Sequence, residues 1–285
     1  MIVDRIAVVG AGQMGRGIAQ VFATAGKQVV IYDISQSIVD ASRAALEKGF
    51  QKQISKGKMT REDADAILSR ITFSADTEYT DAVDDVDLVV EAAIERLDLK
   101  KSIFQKLDRA TKDTCILATN TSSISITEIA SAVEKKENVI GMHFFNPPVA
   151  MKLIEVIRGG NTSDEVYETV FALAREIGKT PVTVSEAPGF VCNRLLIPML
   201  NEAIELVQNG VASAEDIDTA MRLGCNHPMG PLTLADFIGL DTCLAIMDTI
   251  YEETHDSKYR ASLLLRKMVR AGKLGNKTGE GFFKH

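Results

Sequence analysis

The stretch Arg5-Ile6-Ala7-Val8-Val9-Gly10-Ala11-Gly12-Gln13-Met14-Gly15 decides the fold. Residues 5–9 are a short apolar run of the kind that forms strands buried on both faces of a parallel sheet. The three glycines that follow each have a use: Gly10 permits a tight turn, Gly12 lets a backbone approach a pyrophosphate, and Gly15 allows close helix–strand packing. Ile18, Ala19, Val21, Phe22 and Ala25 then recur at helical spacing, and the pattern stops at Gly26. Residues 28–32 are a second β-branched strand, closed by Asp33. A glycine pattern alone is a weak signal. Placed after a strand, opening a helix and answered by an acid at the end of the next strand, it has the context a dinucleotide-binding loop requires. The helix N-terminus would face the anion with open N–H groups and a positive dipole end. Asp33 suits the adenine ribose hydroxyls and would repel a 2′-phosphate, which points to NAD rather than NADP. FAD is the competing cofactor, and nothing further along the chain suggests a flavin.

The alternation continues. A polar helical stretch covers about 35–70, with strands expected at 71–73, 86–91, 115–119 and 139–143. Helices are expected from Leu97 to Ala110 and over 126–132. This is an α/β pattern. It changes near Ser185-Glu186-Ala187-Pro188-Gly189, where β-branched runs vanish. Phe190, Val191, Leu195, Leu196, Met199, Ala203, Ile204 and Val207 approximate one apolar helical stripe, which Pro198 should bend. The expected architecture is a Rossmann-type NAD-binding domain over residues 1–185 and a smaller all-helical domain over 186–285.

Length agrees, since 285 residues at about 100–200 per domain suggest two domains. Apolar residues make up 46% and charged residues 25%, a soluble balance. A net charge of −7 argues against nucleic-acid binding, and any anionic ligand would need a local basic patch. Cys115, Cys192, Cys225 and Cys243 are scattered without a CxxC pair, so no metal site is expected and the thiols read as reduced, in a cytoplasmic protein. No signal-peptide pattern precedes Arg5, and no apolar run approaches the about 20 residues of a membrane span.

Gly141-Met142-His143-Phe144-Phe145-Asn146-Pro147-Pro148, followed by Glu155, sets a titratable base among bulky apolar groups with a carboxylate downstream. A histidine with such a partner carries protons near neutral pH. A lone histidine is more often a packing residue, and His227, in a turn-rich context, is read that way. Ser122 follows the strand at 115–119, where open α/β sheets bind ligands; its alternative is a turn or helix-cap role. Lys48, Lys52 and Lys56 recur every four residues and share one helix face, either a phosphate-binding patch or a solvated surface.

With the glycine loop, Asn120-Thr121-Ser122-Ser123, the His143 segment, Glu155 and Gly189-Phe190-Val191-Cys192-Asn193-Arg194 in order, the chain resembles the L-3-hydroxyacyl-CoA dehydrogenases. The likeness extends to Gly275-Asn276-Lys277-Thr278-Gly279-Glu280-Gly281. It implies NAD-linked interconversion of an L-3-hydroxyacyl-CoA and its 3-oxoacyl-CoA. His143 would be the general acid/base and Glu155 its partner, with Ser122 and Asn193 on the substrate oxygens. The same resemblance places Gly10, Ala11, Gly12, Gln13, Met14, Gly15, Asp33, Glu95, Lys100, Asn120, Ser122, Asn146 and Lys277 at the cofactor. It favours Lys52 and Lys56 for the CoA phosphates, and it implies a homodimer or higher homo-oligomer. Two other readings share these features: an NAD-dependent dehydrogenase of a free hydroxy or sugar acid, and a non-catalytic NAD-binding redox sensor.

Overall fold

A computed structural model describes residues 2–79 and 83–285. The quoted stretch forms β1 (Arg5–Val9) and α1 (Gln13–Thr24), and β2 (Gln28–Tyr32) lies parallel to β1 with Ala7 opposite Val30. Ile6, Ala7, Val8 and Val9 are all buried, which is why this strand carries no polar alternation. Ile18, Ala19 and Phe22 turn the apolar side of α1 into the same core, and the Phe22 ring meets Phe144 edge-on at 6.2 Å.

The helical stretch expected over 35–70 is two helices, α2 (Gln36–Ser55) and α3 (Arg61–Leu68). Gly57 adopts φ +65°, which a continuing helix forbids, and Thr60 with Asp63 builds a capping box that restarts it. The chain continues through β3 (Ile71–Ser74), β4 (Leu88–Glu91), α4 (Leu97–Ala110), β5 (Ile116–Thr119), α5 (Ile126–Ala130), β6 (Val139–Phe144) and β7 (Leu153–Arg158). Strand β7 and two further elements, α6 (Asp164–Glu176) and β8 (Thr180–Ser185), are not among those expected from the sequence. β8 is an edge strand that accommodates Pro181 and buries few side chains, so its apolar signal is faint.

The eight strands lie in the order β3-β2-β1-β4-β5-β6-β7-β8. All pairings are parallel except β6 with β7. The order reverses between β1 and β4, which opens a crevice at the carboxyl ends of those strands, the usual ligand position in such sheets.

The chain divides into two compact units, Met1–Glu186 and Ala187–His285. The second unit is helical: α7 (Cys192–Gln208), α8 (Ala214–Gly224), α9 (Pro231–Ile238), α10 (Leu240–Thr254) and α11 (Leu263–Arg270). α7 runs through Pro198 as a single helix. Ile197, Leu200, Asn201, Ala203 and Ile204 are buried; of the expected stripe Phe190 is buried too, Leu196, Met199 and Val207 pack half-buried on the same core, and Val191 and Leu195 are exposed. Aliphatic residues surround this helix on several sides, so periodicity alone did not choose among them. None of the described helices is long and apolar enough to cross a membrane.

Candidate active site

The glycine loop occupies the crevice. Gly10 has φ +106° and donates its N–H to the Tyr32 carbonyl at 2.8 Å, closing the turn. Gly12 caps α1 with no side-chain acceptor, and the first turn holds no acid. The helix therefore presents its open N–H groups to an anion. A Cβ added to Gly12 would meet nothing within 4 Å, so the backbone there borders open space. At the end of β2, Asp33 accepts the Ala11 N–H at 2.6 Å and the Ile34 N–H at 2.7 Å, which fixes its carboxylate beside the loop. Gly10, Gly12, Asp33, Ile34, Ala93 and Ile94 help line a cavity of about 450 Å³, a suitable size for part of a nucleotide. Among the described residues lining it, the basic group is Lys106, which is paired with Glu78 at 2.6 Å. An acid closing β2 and a lysine already paired with a carboxylate offer nothing to a 2′-phosphate, which suits NAD.

His143 and Glu155 are directly opposite in the antiparallel β6–β7 register. Nδ1 and Oε2 are 2.8 Å apart, and the two residues are 6% and 0% exposed. A carboxylate only accepts, so Nδ1–H is the donor of this pair, and in that tautomer Nε2 is the ring nitrogen able to take a proton. The Phe145 ring lies 4.6 Å from the imidazole. Asn120 Oδ1 accepts the Phe144 N–H at 2.8 Å, tying the end of β5 to that of β6. Gln13 Nε2 donates to Asn146 Oδ1 at 3.0 Å, joining the glycine-loop helix to the segment after the histidine.

Ser122 lies just beyond β5, whose Thr119 is level with Gly141 of β6, so it stands at the same carboxyl edge of the sheet as His143. Glu95 Oε1 accepts both the N–H and the hydroxyl of Ser122, at 2.9 and 3.3 Å. Burial alone would raise the Glu95 carboxyl, but Lys100, Thr121 and the Ser122 N–H outweigh it and hold it below its ordinary value. Lys100, expected beside the cofactor, is turned inward: it is 1% exposed and its ammonium binds Glu91 and Glu95. Glu91 was not anticipated, although an acid ending the apolar run Leu88-Val89-Val90 is a signal for it.

Lys52 lies in the last turn of α2 and Lys56 caps that helix; both are exposed. In the second unit, Asn193 lies in the first turn of α7. Lys277 binds Asp241 Oδ1 at 2.8 Å and Thr242 Oγ1 at 2.9 Å, fastening the C-terminal segment to α10.

A glycine loop at a switch point, an acid closing the neighbouring strand and a buried histidine–carboxylate pair at the same sheet edge fit one class, a nicotinamide-dependent dehydrogenase. Residues 5–187 match the NAD binding domain of 3-hydroxyacyl-CoA dehydrogenase, and residues 189–285 match its C-terminal domain. The chain is 52% identical to 3-hydroxybutyryl-CoA dehydrogenase of Clostridioides difficile, over 98% of each chain. It is 42% identical to the mitochondrial hydroxyacyl-coenzyme A dehydrogenase of Homo sapiens, over 100% of this chain and 92% of that one. The crystal structure of (S)-3-hydroxybutyryl-CoA dehydrogenase from Ralstonia eutropha has a TM-score of 0.95 and 46% identity, covering 100% of this chain and 99% of that one. The chain belongs to the 3-hydroxyacyl-CoA dehydrogenase family.

Proposed function

We propose that the protein interconverts (S)-3-hydroxybutyryl-CoA and acetoacetyl-CoA with NAD(H). The observation that carries this reading is the His143–Glu155 pair, 2.8 Å apart in a family whose first domain binds NAD. In the oxidative direction the substrate hydroxyl gives its proton to His143 Nε2. Glu155 holds Nδ1–H and stabilises the imidazolium that forms. NAD, when bound, supplies the acceptor for the hydrogen leaving carbon 3 with its electron pair. In the reductive direction His143 returns the proton to the carbonyl oxygen. Asn193 and Ser122, whose hydroxyl would turn from its 3.3 Å bond to Glu95, are assigned hydrogen bonds to that oxygen, where charge changes during the reaction. Gly10 to Gly15 would hold the pyrophosphate and Asp33 the adenine ribose.

Lys52 and Lys56 are assigned to the CoA phosphates. Charge reversal at either should raise KM for acetoacetyl-CoA and leave NADH affinity unchanged; equal loss of both would refute the assignment. We assign residues 1–185 to cofactor binding and 186–285 to substrate contacts and subunit pairing, in a cytoplasmic homodimer. A monomer by light scattering at micromolar concentration would overturn the pairing. The deciding assay compares acetoacetyl-CoA with free acetoacetate, each with NADH and NADPH. Turnover of the thioester with NADH is expected, and turnover of the free acid alone would refute the CoA reading.

A further inference from the structure

Beneath the loop that carries Ser122 lies a charged chain that the reaction scheme does not use. Glu91 closes β4 and is fully buried. Its Oε1 accepts from Lys100 Nζ at 2.7 Å and from the Ala93 N–H at 2.7 Å. Its Oε2 accepts from Lys100 Nζ at 2.9 Å and from the Thr119 hydroxyl at 2.7 Å. The same ammonium lies 3.2 Å from Glu95 Oε2. The other oxygen of Glu95 accepts from the Thr121 hydroxyl, both Ser122 donors and the Ser123 hydroxyl. Two ion pairs in series thus link the end of β4 to the backbone and side chain of Ser122.

Stability alone is a poor explanation for this chain. Replacing a buried ion pair with apolar groups of similar size is often neutral or stabilising, whereas removing one partner strands a buried charge. What the chain does supply is direction. Glu91 accepts four hydrogen bonds from three groups and so holds the Lys100 ammonium at one point. That point holds Oε2 of Glu95, a residue about one-third exposed, and so sets where its other oxygen gathers the Ser122 loop.

We propose that Glu91 is a positioning residue: through Lys100 and Glu95 it fixes the orientation in which Ser122 meets the substrate oxygen. This rests on the dehydrogenase reading, which makes Ser122 a substrate contact. Glu91→Gln keeps the shape but introduces an amide N–H into a cluster of donors (Lys100, Ala93 N–H, Thr119). At least one of them loses its acceptor, and Lys100 is released toward Glu95, where it competes with Ser122.

The test is a double-mutant cycle with acetoacetyl-CoA and NADH, accompanied by NADH dissociation constants and melting temperatures. Glu91→Gln should lower kcat by about 100-fold, the scale of a misplacement of about 1 Å. Because Glu95 and Lys100 are also assigned to the cofactor, NADH affinity should fall, but by less than the tenfold of a 1.4 kcal/mol difference and so far less than kcat. In a Ser122→Ala background the same substitution should cost nothing further, since residues acting through one another are not additive. Losses that multiply would overturn the proposal while leaving the dehydrogenase reading intact. Glu91→Gln/Lys100→Met, which removes the ion pair without stranding a charge, separates folding from orientation. Wild-type melting with kcat still low supports the positioning role, and kcat recovering together with melting overturns it. A wild-type protein that does not reduce acetoacetyl-CoA overturns the dehydrogenase reading and this proposal with it.

Discussion

A methyl group added at Gly12 and the same group added at Gly15 should separate cofactor binding from folding. At Gly15 a Cβ would lie 1.7 Å from the Gly10 carbonyl oxygen, 2.9 Å from its carbon and 3.3 Å from Val8 Cγ1. Ordinary contacts between such atoms need roughly 3.5 Å, so helix and turn must part by well over 1 Å. The turn cannot yield freely, because the Cβ position of Gly10 is itself 2.6 Å from the Ala92 carbonyl oxygen. Overpacking costs about 1–3 kcal/mol, and this contact should reach the upper end. For a unit of this size that is a melting temperature lower by about 10 °C. Gly12 differs: nothing lies within 4 Å of its Cβ position and its φ of −66° suits any residue. Alanine there loses about 1 kcal/mol as a helix cap and regains about 0.4–1 kcal/mol by restricting the unfolded chain. Folding should be nearly unchanged. The methyl group would nevertheless occupy the space through which the pyrophosphate approaches, and NADH affinity should fall by at least about 100-fold, some 2.7 kcal/mol. Thermal unfolding without nucleotide and NADH fluorescence titration check both. Gly12→Ala binding NADH like wild type, or Gly15→Ala melting like wild type, would refute the reasoning.

His143→Gln should lower turnover by about 100-fold or more while sparing NADH binding, and near-normal kcat would sink the acid–base assignment. Burial alone would raise the Asp87 carboxyl, but Lys112 and the Arg5 and Asp4 N–H groups outweigh it and hold it below the usual carboxylate range. A carboxyl depressed by folding stabilises fully above its unfolded value, about 4, and loses that contribution as pH falls through the folded value. Asp87→Asn should therefore lower the urea midpoint clearly at pH 6 and much less at pH 3; equal shifts at both would contradict this. Burial also pushes the Cys115 and Cys243 thiols up to about 12, while Cys225 is exposed. Disulfide reagent at pH 8 should label Cys225 in the native protein and reach Cys115 and Cys243 only after unfolding. Native labelling undiminished in Cys225→Ser would count against it.

The nucleotide half was legible because its residues do their work locally. Gly10, Gly12 and Gly15 act on their own turn, and Asp33 ends the next strand, so spacing along the chain was enough. β1 and β2 have the bounds the sequence implied. The break between α2 and α3 was also local, written in Gly57 and the Thr60–Asp63 box, but polar helical composition on both sides obscured it. The facing of α7 was not local: which of its aliphatic sides is buried depends on α9, α10 and α11 around it. The site shows the same division. His143 and Glu155 were visible as residue types, and the antiparallel register that pairs them needed the sheet. Lys100 was read as a polar residue near the cofactor, whereas its surroundings come from Glu91 and Glu95, brought together by β4 and α4. A buried charge is recognisable only when its partners are in view.

The register of β6 against β7 has a consequence for how this enzyme can change. His143 and Glu155 are apposed by the ladder, and each strand is clamped on its far side, β6 by β5 and β7 by β8. The intervening segment, residues 145–152, is not what holds the proton pair together. Its own anchors are separate ones, Gln13 on Asn146 and Lys179 on the Pro148 and Met151 carbonyls, so a side chain exchanged there can change what surrounds the base while the base and its carboxylate keep their spacing. The proton pair is thus insulated from drift in the loop that joins its two strands, because the ladder and not the loop sets its geometry.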